Sequence, residues 1–396
     1  SYAIHIPEDW NGGDLVLYAH GYVFSPDITD PLMAALRNLV PPLPSELLTR
    51  LGEMLPQPRI NEILRNGLLD KGFAVAYSTF SEDGDGYLLK EGVIRTRQLR
   101  GIFTSKVGKP AYTYLVGQSL GGAISLMLAE KNPKLFSGAL LVSGFVGGGQ
   151  MQIDYVANAY LLLYHYLTEP GSSVPILPHI LDIPEEPGAL LALLTDIVPK
   201  VITALPGIIP QLLSVRVKAK GDSDEEGIPV FQVDEAWWPS EMDKIVEAIL
   251  SPLLFVLFGT NEILDRTHGN VMFDNTETVY SDPILDNGVE RFTSPPDAAN
   301  YLKHWYEPTG KLKIPVLTLH NKFDAIVPYY HEDAYYDKVL LDAGNTDMLK
   351  QRGVGLAYTY PFGHCKFTLE EIGFALGELE YRVEYGEWPS LWPPLP

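Results

Sequence analysis

The stretch Tyr112-Thr-Tyr-Leu-Val-Gly-Gln-Ser-Leu-Gly-Gly-Ala-Ile-Ser-Leu-Met-Leu-Ala-Glu130 constrains this chain more than any other. A run of β-forming residues enters Gly117-Gln118-Ser119-Leu120-Gly121 and a helical pattern leaves it, the strand–turn–helix setting in which Gly-x-Ser-x-Gly makes a nucleophile elbow. The demand is steric: a serine in a sharp turn between strand and helix leaves no room for side chains two residues before and after it. Gly117 and Gly121 carry none, and Gly122 and Ala123 extend the small surface that lets the helix begin close to a sheet. The Ser119 hydroxyl then lies at a helix N-terminus, where developing negative charge is favoured. The pentapeptide occurs once in the chain. Alone it could be chance in a Gly-rich protein, and the flanking strand and helix give it its meaning.

A serine hydroxyl is a poor nucleophile without a base that is itself oriented by an acid. The strand-like run Ile314–Leu319 ends in His320-Asn-Lys-Phe-Asp324, which puts Asp324 in the loop at the strand's carboxyl end, where open sheets build their sites. A second run, Leu356–Tyr360, leads into Pro361-Phe-Gly-His364, so His364 precedes the last helix. Asp154 is a rival acid, and His320 and His331 are rival bases. His320 stands so close to Asp324 in sequence that a loop-orienting role is the simpler reading, and His331 falls at a helix start. Cys365 reads as a small packing residue beside the base. Gly147-Gly148-Gly149 lacks the Lys-Ser/Thr of a phosphate loop and reads as a hinge.

Ser119, Asp324 and His364, in that order, with the elbow, resemble the α/β-hydrolase superfamily over about residues 1–146 and 305–390. The resemblance implies an eight-stranded, mostly parallel sheet with helices on both faces, the serine after strand five, the acid after strand seven and the histidine after strand eight. Tyr18-Ala-His20-Gly21-Tyr22 looks like the family's His-Gly element, whose backbone donates into the oxyanion hole. That implies the N–H groups of Tyr22 and Leu120 as the two donors, with His20 fixing the loop. His20-Gly21 is not followed by Gly-Gly, which counts against the branch related to hormone-sensitive lipase. The opening Ile-Pro-Glu-Asp-Trp-Asn-Gly and the Gly-His-Cys segment also look like a large-cap, bacterial esterase-like group. The implied activity is that of a serine carboxylic-ester hydrolase on apolar acyl or aryl esters. Lipase and serine peptidase on the same triad, or a non-hydrolytic binding protein of the same fold, are the alternatives.

The rest of the chain fits this frame. Short apolar runs at 15–19, 73–78, 111–116 and 139–143 alternate with helical patterns at 60–71, 88–105 and 123–131, as in a parallel sheet covered on both faces. Thr368 with Glu371 predicts a capping box for a last helix that Gly386 and Pro389 end. Residues 147–300 lose the alternation and are rich in Pro and Leu. They read as an inserted, mainly helical cap between core segments 1–146 and 301–396, and a shorter insertion spans about Ser25 to Pro58. Tyr155, Tyr160, Trp237 and Trp238 are the cap's candidate substrate-binding residues. The apolar stretch Gly188–Leu213 carries Asp196, Lys200 and three prolines, and reads as broken helices rather than a membrane span.

With 29 Lys+Arg against 50 Asp+Glu the net charge is −21, which opposes nucleic acid and anionic lipid as partners. The single cysteine rules out an internal disulfide, and the nine histidines contain no His-x-x-x-His pair, so no metal or cofactor is expected. The partner expected is a small-molecule ester. The absence of a leader at Ser1 fits a processed export signal or a trimmed chain, with a slight leaning toward secretion.

Overall fold

The computed structural model describes residues 1–39, 42–54, 62–81, 86–167, 176–221, 226–353 and 362–389. In chain order the strands are β1 (Tyr2–His5), β2 (Leu15–Ala19), β3 (Ala74–Ser78), β4 (Thr113–Gln118), β5 (Gly138–Val142), β6 (Arg216–Ala219), β7 (Ile228–Pro229), β8 (Thr278–Tyr280), β9 (Val316–His320) and β10 (Leu349–Gly353). The helices are α1 (Pro26–Arg37), α2 (Ser45–Met54), α3 (Glu62–Asp70), α4 (Leu89–Lys106), α5 (Leu120–Lys131), α6 (Gly149–Leu167), α7 (Pro187–Ser214), α8 (Met242–Arg266), α9 (Pro283–Gly288), α10 (Pro296–Trp305), α11 (Tyr330–Ala343) and α12 (Leu369–Tyr385). They fall into two compact units. The first holds Ser1–Val23, Pro58–Gly149 and Lys303–Pro396, and the second holds Phe24–Gln57 and Gln150–Leu302.

The first unit is built on a seven-stranded sheet of order β1-β3-β2-β4-β5-β9-β10, in which β1 is antiparallel and every other pairing is parallel. Among the described residues it thus has seven strands where eight were expected. Ser119 follows the fourth strand of this sheet, Asp324 the sixth and His364 the seventh, each one place earlier than in the eight-stranded count. The run expected at 356–360 lies outside the described residues, while β10 is a strand the sequence reading did not propose. Central strands are buried along almost their whole length because both faces are covered. Val16, Tyr18, Tyr114, Val116, Leu140, Val142, Leu317 and Leu319 form one face with Leu64 and Leu68 of α3 and Ala375, Leu376 and Leu379 of α12. The register pairs Ala19 with Gly117, Gln118 with Val142, and Val142 with Leu319. The carboxyl ends of the central strands are therefore level, and the loops that leave them emerge together. Thr368 caps α12 with the expected box: its hydroxyl accepts from the Glu371 N–H, and Glu371 accepts from the Thr368 N–H.

In the second unit α1 and α2, from the short segment, pack with α7 and α8 from the long one. Arg50 of α2 reaches Asp243 Oδ2 at 2.8 Å and Glu247 Oε2 at 3.1 Å on α8, an ionic tie between segments far apart in sequence. The unit is mostly helical and includes a small antiparallel sheet, β7-β6-β8. Broken helices were expected across 188–213, but α7 runs unbroken for 28 residues with Pro199, Pro206 and Pro210 inside it. Spaced by seven and four, the three prolines share one side of the helix. Pro206 and Pro210 are exposed there, while Leu194, Ile197, Val201, Leu205, Ile209 and Leu212 form the buried stripe. Packing of that stripe holds the helix through the backbone bonds the prolines omit. Among the described residues α7 is the one helix long and apolar enough to cross a membrane.

Candidate active site

The elbow is held in place by contacts that only glycine permits. A Cβ at Gly117 would lie 2.0 Å from the Gly121 carbonyl oxygen, and one at Gly121 would lie 1.9 Å from the Ala19 carbonyl oxygen. Both obstacles are backbone and cannot swing aside. Between the two glycines Ser119 takes φ 55° and ψ −120°, a region costly for a residue with a side chain and frequent at functional sites. Its N–H donates to Val142 O at 2.8 Å, which ties the turn to β5. Leu120 opens α5, whose first N–H groups have no acceptor inside the helix.

The loop after β2 lies against this turn. A Cβ at Gly21 would be 3.2 Å from Ser119 Cβ and 3.8 Å from its Oγ, so the Gly21–Tyr22 backbone borders the serine. His20 is buried, stacks on Phe80 with ring centroids 4.0 Å apart, and donates from Nδ1 to Gly21 O at 2.8 Å. Tyr18 under the loop donates to Gln118 Oε1 at 3.0 Å.

Asp324 and His364 meet. His364 Nδ1 donates to Asp324 Oδ2 at 2.8 Å, with Oδ1 at 3.0 Å, and Asp324 is fully buried. Asp324 Oδ1 also accepts the N–H groups of Ile326 and Val327, each at 2.9 Å. The rival acid Asp154 sits instead on α6 in the second unit, where its carboxylate accepts from Gln150. His364 Nε2 is buried and has no hydrogen-bond partner among the described residues, so its lone pair or proton is free for exchange with a substrate or a nucleophile. Burial opposes the charged form of this imidazole, but the adjoining Asp324 carboxylate outweighs burial and holds its pKa above the ordinary 6.5.

The other two histidines have different work. His331 is buried and neutral: burial holds its pKa well below 6.5, and its Nδ1 accepts the Gly147 N–H at 3.1 Å. His320 is buried behind Asp324, with Nδ1 3.0 Å from Glu332 Oε1 and Nε2 2.8 Å from Val327 O. The sequence reading gave Glu332 no role, because nothing local marks a helical glutamate as the partner of a histidine twelve residues earlier. It also missed the brace beside His364: Cys365 N–H donates to the buried Ser143 Oγ at 3.3 Å, and Cys365 Sγ faces Val142 O at 3.7 Å.

Of the candidate substrate-binding residues, Tyr155 and Tyr160 are buried in the second unit. Tyr160 donates to Pro178 O at 2.8 Å and borders a cavity of about 390 Å³ with Tyr164, His165, His179 and Glu290. A second cavity of about 60 Å³, which shares Ile180 with the first, is apolar, lined by Ile153, Phe255, Ile263, Met272, Phe273 and Phe292 among others. Tyr155, Trp237 and Trp238 border neither of these two. Trp237 is half-buried and carries the Lys244 ammonium 5.0 Å from its ring centre. No cluster of three potential metal ligands occurs among the described residues.

A family model for esterases matches residues 98–172, the segment that contains the elbow. The o-phthalyl amidase of Xanthobacter agilis is 34% identical over 116 residues, which are 28% of this chain and 24% of that protein. The chain thus spans about a quarter of the length of the curated relative it matches. Among solved structures, an esterase from Aspergillus oryzae aligns over 98% of this chain and 77% of its own with 13% identity and a TM-score of 0.49. Est1E from Butyrivibrio proteoclasticus aligns over 96% and 93% with 11% identity and a TM-score of 0.37.

Proposed function

We propose that this chain is a serine carboxylic-ester hydrolase of the α/β-hydrolase superfamily whose triad is Ser119, His364 and Asp324. The observation that carries the reading is the Asp324–His364 hydrogen bond, which leaves Nε2 of the same ring buried and unpartnered, in a unit whose sheet also presents Ser119 on a strained elbow. His364 removes the Ser119 proton as the hydroxyl attacks the ester carbonyl, and Asp324 orients and stabilises the imidazolium that forms. The N–H groups of Leu120 and Tyr22 receive the oxyanion, each such donor contributing on the order of 10²–10³ in rate. Proton return from His364 to the leaving alcohol gives the acyl-enzyme, and water activated by the same base releases the acid.

Substrate selection is assigned to the second unit, read as the cap, with Tyr155, Tyr160, Trp237 and Trp238 as its contributors and an apolar acyl or aryl ester as substrate. The relation to the o-phthalyl amidase favours one further reading, hydrolysis of an amide of an aromatic acid by the same residues. The test is the rate of hydrolysis of p-nitrophenyl esters from acetate to palmitate, with a phthalyl amide alongside, for the wild type and Ser119→Ala. The expected result is turnover of at least one acyl class and a loss of about 10⁴-fold or more in the variant. A wild type no faster than Ser119→Ala on every ester and amide overturns the reading.

A further inference from the structure

The catalytic acid is backed by a second histidine and a second carboxylate, all inside the first unit. His320 ends β9 and is fully buried. Its Nε2 lies 2.8 Å from the Val327 carbonyl oxygen and 3.6 Å from Asp324 Oδ2, and its Nδ1 lies 3.0 Å from Glu332 Oε1. A carbonyl oxygen only accepts, so Nε2 carries a hydrogen. The other nitrogen faces a carboxyl group, and the surroundings of that group decide where the second proton sits. Glu332 Oε2 accepts from Thr318 Oγ1 at 2.5 Å and from Gln351 Nε2 at 2.9 Å. Two donors on one oxygen favour the ionised carboxylate, which then accepts from Nδ1 as well. With Glu332 ionised, both ring nitrogens of His320 are donors.

We propose that His320 is a buried imidazolium, held charged by Glu332, that serves as a positioning residue for Asp324 and restrains the proton affinity of His364. The proposal rests on the reading of Ser119, His364 and Asp324 as the triad. Val327 links the parts mechanically, since its carbonyl accepts from His320 while its N–H donates to Asp324 Oδ1. Two imidazoles thus approach the same oxygen of the Asp324 carboxylate, His364 Nδ1 at 2.8 Å from Oδ2 and His320 Nε2 at 3.6 Å from it.

The titratable groups facing His320 are Glu332 and His331 from α11, and Asp324 with the Tyr329 ring from its own loop. Those facing His364 are Asp324 and Cys365. A fixed positive charge beside Asp324 opposes a second positive charge on His364, so its presence keeps more of the base neutral at a given pH. The pair His320–Glu332 is neutral as a whole, with its positive end toward the acid. Its replacement by neutral side chains removes the opposing charge and raises the pKa of His364.

Two measurements test this. The ring ¹⁵N spectrum of histidine-labelled wild type at neutral pH, with His320 assigned by the His320→Gln variant, is expected to show both nitrogens of His320 protonated. The pH profile of kcat/KM on the best p-nitrophenyl ester is then compared between the wild type and the double variant His320→Gln/Glu332→Gln, which leaves no lone buried charge. The expected result is a rising limb moved upward by about one pH unit, an approximately tenfold loss on its acidic side that narrows as pH rises, and an unchanged KM. A neutral His320 in the wild type overturns the proposal, as does a limb that stays in place or a loss equal at every pH, the mark of a merely structural role. If the double variant does not fold, the wild-type ring spectrum decides alone. A wild type that hydrolyses no ester or amide overturns the triad reading and leaves the protonation of His320 to be judged by that same spectrum.

Discussion

At the residue scale, one buried carboxylate gathers several partners. Asp324 takes two backbone N–H groups on Oδ1 and the His364 ring on both oxygens, so its side chain is fixed from two directions. Asp324→Asn keeps the size and loses the charge, and an amide nitrogen facing His364 also imposes the wrong tautomer. The expected outcome is a fall in kcat of about 10⁴-fold with little change in KM, read from steady-state kinetics. The same ion pair links activity and stability with opposite signs. Because the folded pKa of His364 lies above 6.5, the pair contributes its stability fully below 6.5 and loses it as pH rises through the raised value. In the proposed mechanism His364 works only when neutral, so kcat/KM is expected to rise across the window in which the melting temperature falls. Asp324→Asn should flatten that part of the stability profile, which melting curves between pH 6 and 10 would reveal. The residues proposed as serine and acid could be picked out in the sequence because Ser119 and Asp324 each follow an apolar strand run. His320 with Glu332 could not, since their pairing depends on how α11 lies over the loop after β9.

At the element scale, the strand β4, the elbow and α5 act as one piece, and the sequence pattern made them so. Gly121→Ala would drive a Cβ into the Ala19 carbonyl oxygen, a backbone atom 1.9 Å from the ideal position. A cost of about 3 kcal/mol or more is expected, seen as a lowered melting temperature together with lost turnover as the loop after β2 is pushed from the serine. Thr368→Ala removes a cap that both partners complete, and about 1 kcal/mol should be lost without effect on KM. The central strands could be read from their uninterrupted apolar runs. The edge strand β10, Leu-Lys-Gln-Arg-Gly, could not, because only Leu349 of its first four residues is buried and no run of apolar residues marks it. The prolines of α7 misled for a related reason: sequence counts them as breaks, but two of the three lie on the exposed side of a helix that packing already holds.

At the scale of the whole molecule, residues 24–57 and 150–302 form one compact unit, a merger the sequence did not reveal because nothing local links the two segments. Arg50 makes that link testable. Arg50→Ala leaves Glu247, which is buried, without its cation, and a loss of about 1–3 kcal/mol is expected in thermal unfolding. The two-piece construction also sets a clock on synthesis. Leu32 and Leu36 of α1 and Leu47 and Leu51 of α2 are buried in the finished protein, yet α7 begins about 130 residues after α2 ends. At about 5–20 residues per second, those side chains wait roughly 7–27 s at the ribosome before the first of the helices they pack with begins to be made. Nascent chains halted before α7 should therefore crosslink to holding chaperones through α1 and α2, and chains released beyond residue 302 should not.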